Sequence, residues 1–234
     1  MSGSGITTDN LMLLAENRFQ DSKAFYEEHK AEIRRGVIDP LRRLAGELAP
    51  TMLAIDPLLI VDPLKNGTVS RVRRDNRFTH DKAMYRENMW IAFLRDKQEW
   101  DHCLPAFFLD FSIRRVEWGM GFYNARPDVM RCLRARTERD PARAIAAVKS
   151  AQAAGFSLSG EPYARPRSTA ETPELLRPLY DCRNVDLMRT EPEAFLRDER
   201  LAERLADGFR ALAPLYTLMI ESIEELRGWR EVGI

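Results

Sequence analysis

Through the N-terminal part of the chain, apolar residues recur every three or four positions, the spacing of helices with one buried stripe. Thr8-Asp9 can cap a first helix that carries Leu11, Leu14 and Asn17 on one side. A longer helical stretch is expected over 21–48, its stripe formed by Phe25, His29, Ile33, Val37, Leu41, Leu44 and Leu48. Gly36 and Pro40 interrupt that stretch and predict a kink or break between them. Pro50 and Pro57 predict the end of the helical region, and 62–67 is rich in turn formers.

The period then changes. Residues 68–74 can form a strand, although their side chains are mostly polar, and 89–94 is apolar with weak alternation. Over 106–113, Phe107, Leu109, Phe111 and Ile113 share one face while Phe108, Asp110 and Ser112 share the other, as in a half-buried strand. The pattern continues over 116–123, where Gly119 and Gly121 predict a bulge or a close backbone approach. Short links between these segments favour antiparallel pairing. Helices return over 126–136 and 140–153, the second stopped by Gly155. A loop over 157–172, a short helix to Tyr180, a last strand over 184–188 and a helix from Glu191 onward, kinked at Pro214, complete the chain. The expected fold is α+β: residues 9–230 form a single domain whose central, mainly antiparallel sheet is flanked by N-terminal and C-terminal helices. Residues 1–8, small and polar, are expected to be a flexible leader.

Composition narrows the function classes. Lys plus Arg and Asp plus Glu balance at 36 each, so whole-molecule charge points to no partner. No apolar run is long enough for a membrane span, and the N-terminus lacks the pattern of a secretory signal. Cys103, Cys132 and Cys182 are odd in number and far apart, which argues against a disulfide framework and for a cytoplasmic setting. No phosphate-loop, nucleophile-elbow or metal-ligand spacing occurs, so neither a cofactor nor a metal is expected.

Chemistry concentrates in one place. Residues 71–85 hold four arginines, two aspartates, a lysine, a histidine and a tyrosine. From Arg71 to Glu87, six basic residues face three acidic ones, a local surplus of three positive charges. Guanidinium groups present planar paired donors suited to carboxylate or phosphate. Arg71, Arg74, Asp75, Arg77, Asp81, Lys82 and Tyr85 are therefore the candidate binding residues for an anionic small molecule, with His80, Tyr85 and Asp75 as candidate acid–base groups. A structural network is the competing reading, because Arg–Asp pairs can fix a loop without any chemistry. Nucleic acid stays open as a partner through the local charge. The helical arginines Arg126, Arg131, Arg134, Arg136, Arg139 and Arg143 have the pattern of a solvated face, and His102 that of a turn.

The segment Arg71-x-x-Arg74-Asp75-x-Arg77-Phe78-x-x-Asp81-Lys82-x-x-Tyr85 resembles the signature of the DUF2461 family, bacterial and fungal proteins with no established activity. Phe25-Tyr26-Glu27 with Lys30, Leu104-Pro105-Ala106-Phe107-Phe108 and Gly119-Met120-Gly121-Phe122-Tyr123 with Pro127 are also similar to family segments. So are 155–160 and Leu212-x-Pro214-Leu215, which extends the likeness over nearly the whole chain. Met84 stands where the family usually has proline, and Trp118 and Met120 thin its glycine-rich turn. The resemblance implies an α+β fold and a shared surface around 71–85, and it implies no activity.

Overall fold

The structure, a computed structural model, describes residues 4–64, 68–77, 80–97 and 103–231. Helix α1 (Thr8–Gln20) begins where Thr7 and Asn10 cap each other, each side chain accepting from the other's backbone N–H. It ends at Asp21, whose φ of 42° is left-handed. Helices α2 (Lys23–Ile33) and α3 (Asp39–Ile55) are joined by a single π turn, Arg34–Ile38. The interruption predicted at Gly36 is therefore a widened turn rather than a break. Close packing accounts for the glycine there: a Cβ on Gly36 would lie 2.3 Å from the Asn10 side-chain nitrogen. Helix α3 continues through Pro50, beyond the stop that this proline predicts. Pro50 forgoes one backbone bond, but Leu48 and Met52 on either side are buried, and their packing holds the turn.

Strands β1 (Met89–Phe93), β2 (Pro105–Phe111), β3 (Val116–Phe122), β4 (Ser157–Ser159) and β5 (Asp186–Glu191) form a five-stranded antiparallel sheet in the order β1-β2-β3-β5-β4. The fold is α+β. In β2 the alternation is as its sequence predicts, with Phe107, Leu109 and Phe111 buried and Ala106, Phe108 and Asp110 half-buried. Strand β4 falls in the stretch that reads as loop; three residues with a single apolar side chain, Leu158, leave no periodic signal. Helices α4 (Pro127–Arg139), α5 (Pro141–Ala153), α6 (Arg177–Asp181) and α7 (Leu201–Glu231) complete the elements. Helix α7 starts later than Glu191, after a 3-10 turn over Glu193–Arg197, and runs through Pro214.

The chain divides into two compact units that alternate along the sequence: 1–93, 108–118 and 190–206 in one, 94–107, 119–189 and 207–234 in the other. In the first, the stripe Ile33, Val37, Leu41, Leu44 and Leu48 is buried, and Trp118 stacks on Phe195 with ring centroids 5.7 Å apart. Residues 4–7, expected in a flexible leader, are instead packed here. The Ser4 hydroxyl donates to the Leu196 carbonyl, and Ile6 is fully buried.

In the second unit, Phe107 meets Phe209 and Tyr216 at 5.4 and 4.8 Å between centroids. Of its helical arginines, Arg131, Arg139 and Arg143 are exposed, as their spacing suggests, but several are also paired with carboxylates on another helix. Arg136 donates to Glu221 and Glu225 at 2.9 and 2.7 Å, Arg139 to Glu225 at 2.6 Å, and Arg143 to Glu221 at 2.8 Å. The hydrogen bond from Arg139 holds the Glu225 carboxyl below its ordinary value. A lowered folded-state value means a contribution present above the unfolded value of about 4.3 and lost as pH falls through the folded one. Glu225→Gln is expected to cost about 1 kcal/mol at pH 7, with the difference shrinking as pH falls through the lowered folded-state value, as urea unfolding across a pH series would show.

Candidate functional site

The charged segment lies in the first unit and is built on an irregular hairpin. Ala92 N–H donates to Thr68, Ser70 N–H to Trp90, Arg86 N–H to Val72 and Arg74 N–H to Met84, at 2.8–3.0 Å. One residue separates Ser70 from Val72, but three separate Arg86 from Trp90, so the return strand bulges outward by two. The Ser70 hydroxyl accepts from the Trp90 N–H at 2.9 Å, which supplies a partner that the disturbed ladder lacks. Ser70 and Val72 are buried, Arg74 is half-buried, and Arg71 and Arg73 are exposed, the alternation an extended segment gives.

Asp21 anchors the other side of the hairpin. Its Oδ1 accepts from the backbone N–H groups of Met84 and Tyr85 at 2.7 and 3.2 Å. The left-handed turn at the end of α1 thus aims one carboxylate at two peptide groups. Tyr85 is 3% exposed and stacks on Tyr26 at 4.8 Å, with burial pushing its hydroxyl pKa up. Tyr85 is packing, not a ligand-facing group.

The tip of the segment closes on itself. Arg77 grips Asp75 through both carboxylate oxygens, at 2.9 and 2.7 Å, and this holds the Asp75 carboxyl at about 2. Asn76 donates to the Lys82 carbonyl at 2.8 Å, and Lys82 returns a bond to the Asn76 carbonyl at 3.1 Å. These four residues bind one another in two pairs. His80 is exposed, and Phe78 and Thr79 lie outside the described residues, as does His102.

Arg74 faces elsewhere. It pairs with Asp81 Oδ2, and Arg18 from α1 reaches the same oxygen at 3.0 Å. The other oxygen, Oδ1, accepts from the Ala83 N–H at 3.0 Å, and that bond together with the Arg74 pairing lowers the Asp81 pKa. Arg18, Arg74, Asp81, Arg86, Glu87 and Asn88 line a recess of about 240 Å³. The bulged strand supplies the last three of these, and Arg86 lies over the Trp90 ring at 4.4 Å. Asn88 is braced from behind: its amide donates to Asp110 Oδ2 at 2.7 Å, and burial pushes the Asp110 carboxyl up. Three guanidinium groups and one amide thus meet two carboxylates at one depression.

Of the residues singled out in the sequence, Arg74 and Asp81 reach this recess. Asp75, Arg77, Lys82 and Tyr85 do not line it; they hold the hairpin in shape. Arg71 is exposed, and its charge also bears on Asp75. Arg18 and the bracing Asp110 carry no local signal, since each joins the site from a distant part of the chain, while Asn88 directly follows the charged segment but bears no charge to mark it. A second depression, of about 280 Å³ over Glu199, Arg200, Ala202 and Glu203, gathers no comparable chemistry, because Arg200 already pairs with Glu203 at 2.6 Å.

Among the described residues no cluster of His, Cys, Asp and Glu is placed to hold a metal, and no helix is long and apolar enough to cross a membrane. The three cysteines are buried and form no disulfide, and burial pushes the Cys132 and Cys182 thiols up. Comparison with curated proteins and with solved structures finds no match. The family model described as a conserved hypothetical protein matches residues 9–218, nearly the whole chain, so the protein belongs to the DUF2461 family.

Proposed function

We propose that this protein is a cytoplasmic binding protein for a small anion, phosphate- or carboxylate-bearing, held in the recess of Arg18, Arg74, Arg86 and Asn88. The observation that carries the reading is that Arg18 and Arg74 converge on a single carboxylate oxygen while Arg86 lines the same depression. Guanidinium forks left over from one shared acceptor can take a second anion with little rearrangement. Three buried thiols, none in a disulfide, support the cytoplasmic setting. No reaction is proposed, because no described nucleophile stands beside a general base at the recess.

A second reading, a structural network in a non-catalytic interaction protein, is favoured at the tip. There Asp75, Arg77, Asn76 and Lys82 satisfy one another. The two readings divide the segment between them, and a pair of variants separates them. In thermal-shift titrations with inorganic pyrophosphate, Arg74→Ala is expected to weaken binding about 10–100-fold, the loss of a charge-assisted contact. Arg77→Ala is expected to bind as the parent does. Full binding by folded Arg74→Ala would overturn the anion reading.

A further inference from the structure

Resting on that reading, we infer that Asp81 is a built-in competing anion, and that the ligand which displaces it carries a phosphate group rather than a lone carboxylate. Asp81 already fills the role of a bound carboxylate. One oxygen takes both Arg18 and Arg74, and the other takes the Ala83 N–H, an arrangement a ligand carboxylate would share. Asp81 and its neighbours His80 and Lys82 are exposed, while the Asp75–Arg77 and Asn76–Lys82 bonds tie the chain around it. Asp81 can therefore leave the two arginines without its loop losing every internal constraint.

The competition is unequal. An internal carboxylate acts at an effective concentration on the order of millimolar or above, so a free monocarboxylate exchanges like for like and gains nothing. A phosphate monoester carries a charge of roughly −1.5 to −2 at neutral pH and three acceptor oxygens. It can engage Arg18, Arg74 and Arg86 together, with more charge and more acceptor oxygens than a single carboxylate brings. Asp81 thereby sets a threshold that admits phosphate and excludes single carboxylates. The recess, at about 240 Å³, has room for such a group.

Asp81→Asn removes the charge but keeps the side-chain oxygen that accepts from Ala83, so the loop turn survives. Calorimetric titration of the full chain at pH 8 with pyrophosphate, inorganic phosphate and acetate would decide the matter. The expected result is parent binding of the phosphates but not of acetate, with Asp81→Asn about tenfold tighter for phosphates and newly able to bind acetate. Asp75→Asn, an equal charge change on the same loop but away from the recess, is expected to leave affinities unchanged. Equal or weaker phosphate binding by Asp81→Asn, an equal gain in Asp75→Asn, or parent binding of acetate as tight as phosphate would each overturn the role of Asp81 alone. If no variant bound any of the three anions, the anion site itself would fall with it.

Discussion

Gly119→Ala is expected to destabilise the protein by about 3 kcal/mol or more, the upper range for overpacking, because the atom it adds has nowhere to go. A Cβ at Gly119 would sit 1.9 Å from the Leu187 carbonyl oxygen on the neighbouring strand β5. No real contact is that short, and the obstacle is backbone rather than a flexible side chain. The strands would have to separate, and with them the ladder that includes the Phe122–Val185 bond. Gly46→Ala supplies the control. That glycine lies in α3 with nothing within 4 Å of an added Cβ, so alanine should stabilise by about 0.5–1 kcal/mol. Equilibrium unfolding in urea would separate the two outcomes, and near-parental stability of Gly119→Ala would contradict the close approach of β3 and β5.

Asp21→Ala is expected to cost about 2 kcal/mol, reflecting two hydrogen bonds to a charged acceptor at a partly exposed site. The carboxylate caps two N–H groups of the hairpin, at Met84 and Tyr85, and Met84 in turn receives the Arg74 N–H. Its loss should therefore be felt locally as well as globally. Hydrogen exchange of the Met84 and Tyr85 amides should accelerate more than that of the α3 amides. Asp21→Asn keeps one acceptor oxygen and tolerates the left-handed backbone, so it should lose less than half as much. Asp21→Gly relieves the backbone but supplies no acceptor, and its exchange pattern should follow that of alanine. Unchanged protection at Met84 and Tyr85 in Asp21→Ala would remove the anchor from the account.

How much of this was legible in the sequence follows from the range over which each interaction acts. The 3.6-residue stripe from Ile33 to Leu48 and the strict alternation in β2 are local patterns, and both appear where the spacing puts them. The glycines of β3 signalled a close approach, although not which strand makes it. Helix α3 passing through Pro50 was hidden, because burial of its neighbours outweighs a single missing bond. The charged segment shows the same limit more sharply. Arg77 and Asp75, two residues apart, pair as neighbours can, but Arg18 meets Asp81 across 63 residues of sequence. Arg136 likewise meets Glu221 across 85, which ties part of what reads as a solvated basic stripe to another helix. Periodicity reports which face is buried. It does not report which opposite charge waits on another element.

The recess lined by Arg18 and Arg74 is the part of the account on which function turns. Calorimetric titration of inorganic pyrophosphate into the parent and into Arg18→Ala/Arg74→Ala, at low and moderate salt, tests it most directly. Saturable binding at a single site, weakened by salt and abolished in a double variant that still unfolds cooperatively, is the predicted result. No binding to the parent, or equal affinity in the double variant, would contradict it.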